Sequence, residues 1–254
     1  MKCKYALFLT LLLPISAIAG SIQYEGSSTV GKFIKDASAV YSSSSFNIKT
    51  ATESSGGEKC AARGSCDIGG VARGVNQKFL KKGVQATLIG KDAIAAIVNG
   101  GNPVSGLTGA QLKGIFTGKI KNWSEVGGTD QVIKPYIVKK GSATRKVFRN
   151  VVMQGADYAG AKVVTPDAKI LSIVSRDAGA IGQISFAFLS DAKGIKPVDV
   201  DGQTADVSNS SYPITRPLHL TTKGAPTGDA KAFITWALSA EGQAVVKKRF
   251  VSVK

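Results

Sequence analysis

The stretch Ala93-Ile94-Ala95-Ala96-Ile97-Val98-Asn99 carries no polar side chain before its last residue. A run this short and this apolar has one economical use, a strand covered on both faces, which is the habit of a parallel sheet. The flanking sequence supplies the layers such a strand requires. Ser21 to Glu25 alternates like a strand, and Phe33, Ile34, Ala37 and Tyr41 then recur at helical spacing. Phe46 to Thr50 and Asp67 to Val71 read as further strands, with a short helix, Glu58 to Arg63, between them. Alternation of this kind specifies an α/β fold.

Beyond Asn99 the breaker cluster Gly100-Gly101-Asn102-Pro103 marks a crossover between two halves. Thr108 then caps a helix with Gln111 in the reciprocal capping-box position. Lys134 to Val138 predicts a strand, Arg145 to Met153 a helix, and the surroundings of Ile181-Gly182-Gln183-Ile184 another strand. Gly202 to Ser211 is polar enough for a loop. Strand Leu218 to Thr222 and an amphipathic helix over Asp229 to Lys248 close the chain. His219, the only histidine, sits in an alternating run and reads as a strand residue.

The N-terminus predicts the compartment. Residues 1–19 combine Lys2 and Lys4, an apolar stretch and Ala17-Ile18-Ala19 before Gly20, the pattern of a cleaved secretory signal peptide. The expected product is a soluble, periplasmic protein, since no later stretch approaches a membrane span. Cys3 leaves with the signal, and an even pair, Cys60 and Cys66, remains. In an oxidising space the pair favours a disulfide; a thiol ligand site is the rival reading. The net charge of +16 over 254 residues attracts anions. Its cations are scattered, without a long basic run or interleaved aromatics, so nucleic acid is not expected as a partner.

Three loops share one composition: Gly26-Ser27-Ser28-Thr29, Ser54-Ser55-Gly56-Gly57 and Gly141-Ser142-Ala143-Thr144. Each precedes a predicted helix. Helix starts carry unpaired N–H groups and partial positive charge, small residues admit a ligand to the backbone, and hydroxyls add donors. Three on one scaffold point to an oxyanion pocket, although each alone is an ordinary cap. The chain has no GxSxG elbow, no metal-ligand cluster and no histidine beside a nucleophile, which argues against an enzyme and against a metal or other cofactor.

The series GSSTV (26–30), SSGG (54–57), DIGGVAR (67–73), IFTGKIKNWSEVGG (115–128), GSATR (141–145), IGQISFAFL (181–189) and YPITRPLHL (212–220) resembles, in order, the smaller periplasmic phosphate-binding proteins of ABC phosphate importers. The resemblance implies an α/β, two-lobe periplasmic binding protein fold of type II-like form, with the ligand cleft between lobes. It implies one lobe from 20–98 and 213–254, a second from 99–212, and a monomer. It implies binding of inorganic phosphate, or a similar tetrahedral oxyanion such as arsenate, for delivery to a membrane permease. A sensory variant would present its ligand to a sensor kinase ectodomain, with arsenate or arsenite as ligand.

Carried over residue by residue, the resemblance assigns the anion to Ser28, Thr29, the Val30 backbone, Ser54, Arg73, Ser142, Ala143 and Thr144. Ala72 replaces a serine before the anion-facing arginine. Val138, Lys139 and Lys140 stand where relatives often place an arginine and an acid. The expected pocket therefore lacks a clamp and a proton acceptor in its second half, with Lys140 or Arg145 as candidate substitutes. A reduced Cys60, expected in the first turn of its helix, would be the route to arsenite.

Overall fold

The computed structural model describes residues 20–190, 192–209 and 211–253; the predicted signal peptide, with Cys3, lies outside them. The chain opens β1 (Gly20–Gly26), α1 (Ser28–Ser38), β2 (Ser44–Lys49), α2 (Glu53–Arg63), β3 (Ile68–Val71) and α3 (Gln77–Leu80), followed by the long strand β4 (Val84–Asn99). After it come β5 (Gly106–Leu107), α4 (Gly109–Phe116), β6 (Lys134–Val138), α5 (Ala143–Val151), β7 (Lys162–Val164), α6 (Lys169–Val174) and β8 (Ala180–Ser185). The return consists of β9 (Ile195–Pro197), β10 (Asp199–Val200), β11 (Thr215–Lys223), α7 (Gly228–Ala237), α8 (Ala240–Val246) and β12 (Val251–Ser252). The strand order is β2-β1-β3-β11-β4-β8-β6-β7, while β5 and β10 pair separately.

Strand β4 is the spine. Val84 to Ala93 pairs with β11, and Ile94 to Val98 pairs with β8, both antiparallel. Burial on both faces is as the apolar run requires, but the parallel neighbours expected for it are absent. The reason is in the layers: Ala95 and Ile97 feed one core, while Ile94, Ala96 and Val98 feed the other. Double coverage depends on what lies above and below a sheet, not on strand direction. The change of partner also falls inside β4, ahead of the Gly100–Pro103 cluster. Parallel pairing survives nearby, where β1 joins β2 and β3, and β6 joins β7 and β8.

Two helices differ from their sequence patterns. α2 begins at Glu53, so Ser54-Ser55-Gly56-Gly57 is its first turn rather than a preceding loop. Those glycines permit contact: a Cβ on Gly57 would stand 2.3 Å from the Gly70 carbonyl oxygen of β3. The C-terminal amphipathic pattern is cut into α7 and α8 at Ser239, whose hydroxyl accepts from the Gly242 N–H. The Thr108–Gln111 capping box of α4 forms as its spacing predicts. No described helix is long and apolar enough to cross a membrane.

Candidate anion site at three helix starts

The starts of α1 and α5 meet at Arg216, which projects from β11. Its guanidinium donates to Thr29 Oγ1 at 2.8 Å and to Thr144 Oγ1 at 3.1 Å. On its other edge it donates to Asp92 Oδ2 at 2.8 Å, and Asp92 also accepts from the Ser185 hydroxyl. Arg216 is 3% exposed and Asp92 1%, so this is a fully desolvated ion pair. One cation thus joins residues far apart in the chain and ties β11 to β4 and to the starts of α1 and α5.

The hydroxyl chemistry is directional. Thr29 and Thr144 spend lone pairs on Arg216, leaving each O–H hydrogen to donate. Ser142 is the N-cap of α5, yet its side chain does not cap the helix. It donates instead to Asp167 Oδ2 at 2.7 Å, so the first N–H groups of α5, from Ala143 and Thr144, keep no side-chain acceptor. α2 likewise lacks a side-chain cap. Ser28 donates its N–H and hydroxyl to Glu53 Oε2, at 3.3 and 3.2 Å.

Two carboxylates complete the site. Glu53 is buried, with a left-handed φ of 57° that a non-glycine residue adopts at a cost. Asp167 is buried, and its Oδ1 has no hydrogen-bond partner. Burial raises Glu53 to about 7, and the negative charge of Asp167 adds to the effect; the Ser28 hydrogen bonds and Lys139 oppose it. Burial also raises Asp167, against the Ser142 hydrogen bond and the charges of Arg216 and Lys139. Two buried carboxylates, from α2 and from the turn before α6, thus stand near Lys139, in a stretch that itself carries no acid.

Of the residues expected at the anion, Ser28, Thr29, Ser142, Ala143 and Thr144 converge here. The Val30 N–H is taken by the Ser27 hydroxyl, which caps α1. The Ser54 hydroxyl accepts from the Ala72 N–H at 3.1 Å and fastens α2 to β3. Arg73 is directed elsewhere: it forms a bidentate pair with Glu58 at 2.5 and 2.8 Å. That carboxylate, inside α2, reaches it first and also accepts from the Asn76 N–H. Arg145 donates to the Val138 carbonyl and lies over Tyr158, so it is structural; Lys140 is exposed. Lys139 reaches the Ala51 carbonyl across the seam, where Ser55 also donates to Gly141 O at 3.2 Å.

Sequence reasoning missed Arg216, Asp92, Glu53 and Asp167. Arg216 had a signal. Ile214, Arg216, Leu218 and Leu220 share one face of an alternating strand, so the pattern put a cation into the core, where it must be partnered. Asp92 directly precedes the apolar run and Glu53 the small-residue turn, whereas Asp167 in Thr165-Pro166-Asp167 reads as an ordinary turn. Cys60 and Cys66 form a disulfide with their Cα atoms 5.4 Å apart. Because α2 starts at Glu53, Cys60 lies well past its first turn, and bonded sulfur offers arsenite no thiolate.

A family model described as a PBP superfamily domain matches residues 15–241. The phosphate-binding protein PstS of Bacillus subtilis is 36% identical over 153 residues, or 59% of this chain and 51% of the relative; the match thus spans about half of that relative's length. PstS of Staphylococcus epidermidis (strain RP62A) is 27% identical, with 92% of this chain and 79% of the relative covered. Among solved structures, a putative phosphate ABC transporter substrate-binding protein with bound phosphate from Clostridium perfringens superposes with a TM-score of 0.85. It is 33% identical, and the match covers 92% of this chain and 100% of that one. An ABC-type phosphate transport receptor from Vibrio cholerae, at 24% identity and a TM-score of 0.73, shares the fold, with 92% of this chain and 100% of that one covered.

Proposed function

The chain belongs to the PBP superfamily and has the two-lobe α/β fold, and from that premise we propose that it is a periplasmic solute-binding protein, not an enzyme, that captures inorganic phosphate for the permease of an ABC importer. The observation that carries the reading is the junction of Thr29 and Thr144 on Arg216, which turns two hydroxyls and two helix starts toward one point. An oxyanion there replaces its hydration shell with N–H and O–H donors beside a buried guanidinium. The unpartnered Asp167 Oδ1 favours a ligand that also carries a proton, which separates phosphate and arsenate from fully ionised sulfate.

The reading includes the division into lobes, 20–98 with 213–254 and 99–212, closed across the site by the Ser55–Gly141 and Lys139–Ala51 contacts. It takes Ser28, Thr29, Ser142, Ala143 and Thr144 as contacts and substitutes Arg216 for Arg73 as the charge.

Calorimetry with phosphate, arsenate, sulfate and arsenite tests it. Phosphate and arsenate are expected to bind, sulfate at least tenfold more weakly, and arsenite not at all. Equal affinity for sulfate, or no affinity for phosphate, contradicts the reading.

A further inference from the structure

Glu53 and Asp167 are more than acceptors at the edge of the site. Glu53, at the start of α2, is held by Ser28 of α1, while Asp167 is held by Ser142 at the start of α5. Arg216 binds the neighbouring hydroxyls of those same two helix starts, Thr29 and Thr144. The two carboxylates therefore flank the same junction of helix starts, near enough for the charge of Asp167 to act on Glu53, and each is 3% exposed.

The charge balance around them is unfavourable to an anion. The groups acting on the pair are Tyr24 from β1, Lys139 after β6 and Arg216 from β11, with Asp92 of β4 behind Arg216. Tyr24 is neutral, since burial raises its phenol well above its ordinary value and its hydroxyl donates to the Ser27 carbonyl. Asp92 and Arg216 neutralise each other. Two carboxylates then face the single ammonium of Lys139, which already serves the Ala51 carbonyl. An oxyanion entering this enclosure meets a surplus negative charge that only a proton can remove cheaply.

We infer that the anion-bound site holds one proton between Glu53 and Asp167, taken from solvent with each oxyanion, so that ligand capture is linked to proton uptake. This rests on the phosphate-binding reading above and adds the form in which the complex is charged. Such a proton removes the repulsion between the two carboxylates that burial amplifies. In the ligand-free protein the elevated titration of Glu53, about 7, leaves the pair able to take the proton up near neutral pH.

The test is the pH dependence of phosphate affinity between about pH 8 and 9, where the second ionisation of free phosphate is largely complete. Calorimetric Kd for the intact protein is expected to rise roughly tenfold per pH unit, the signature of one proton taken up. In Glu53→Gln, and separately in Asp167→Asn, a single ionised carboxylate remains beside Lys139, and Kd is expected to become nearly independent of pH. Binding by the intact protein with no slope overturns the inference while leaving phosphate capture standing. A tenfold slope that persists in both variants also overturns it, because the proton then resides on the ligand. Absence of phosphate binding at every pH from about 5.5 to 9 removes the functional reading and this inference together.

Discussion

Arg73 and Arg216 are both buried, both on strands or strand ends, and both paired with a carboxylate, yet they do different work. Arg73 is held by residues close to it in the chain, where its two η nitrogens face Glu58 of α2 and the Gly74 carbonyl. Beside it is a pocket of about 330 Å³ edged by Lys59, Lys78 and Lys146. Arg216 spends one edge on Asp92 and the other on hydroxyls from two helix starts separated from it by 187 and 72 positions. A guanidinium that saturates one carboxylate bidentately fixes local structure. One divided between a carboxylate and two hydroxyls organises a site, because those hydroxyls are left with hydrogens to donate.

Arg216→Ala is the severest way to break this contrast. It strands Asp92 and releases both threonines, so phosphate binding is expected to fall by at least two orders of magnitude in calorimetry. The fold is expected to lose about 3–5 kcal/mol in urea denaturation. Arg73→Ala strands Glu58 in the same way and is expected to cost about 3 kcal/mol of stability, but to change phosphate Kd by less than about threefold. Adding Glu58→Ala to it should restore part of that loss, and a double-mutant cycle measures how much. If Arg73→Ala abolishes binding while Arg216→Ala spares it, the two roles are reversed.

Smaller effects sharpen the picture. Glu53 titrates above its ordinary value in the fold, at about 7 rather than 4.5. The native state thus holds more protons than the unfolded chain between those values, and the wild-type protein loses stability as pH rises through that window. Glu53→Gln escapes the loss: it is expected to match wild type near pH 4 and exceed it by on the order of 2 kcal/mol at pH 8. A difference independent of pH would remove the assigned burial strain. Reducing Cys60–Cys66, six positions apart, is expected to cost about 2 kcal/mol in thermal or urea unfolding while leaving phosphate affinity unchanged.

The contrast also marks what a sequence discloses. The α/β alternation, the capping box at Thr108 and Gln111, and the three small-residue turns are local patterns, and local patterns carry their own evidence. The apolar run at Ala93–Val98 announced burial on both faces but not strand direction, because periodicity is blind to which neighbour pairs with it. Arg73 was legible because it ends a recognisable motif; its commitment to Glu58 was not, since that depends on how α2 packs on β3. Asp167 carried almost no local mark. Its meaning comes from a serine 25 positions earlier. Sites assembled from distant residues become visible only once the chain is folded.

In the proposed complex an oxyanion sits between the starts of α1 and α5 beside Arg216. A crystal structure of the protein grown with phosphate tests it most directly. Tetrahedral density is expected within hydrogen-bond distance of the Thr29 and Thr144 hydroxyls and the Ala143 and Thr144 amides. Density at Arg73, in the pocket between α2 and α5, with none beside Arg216, would contradict it.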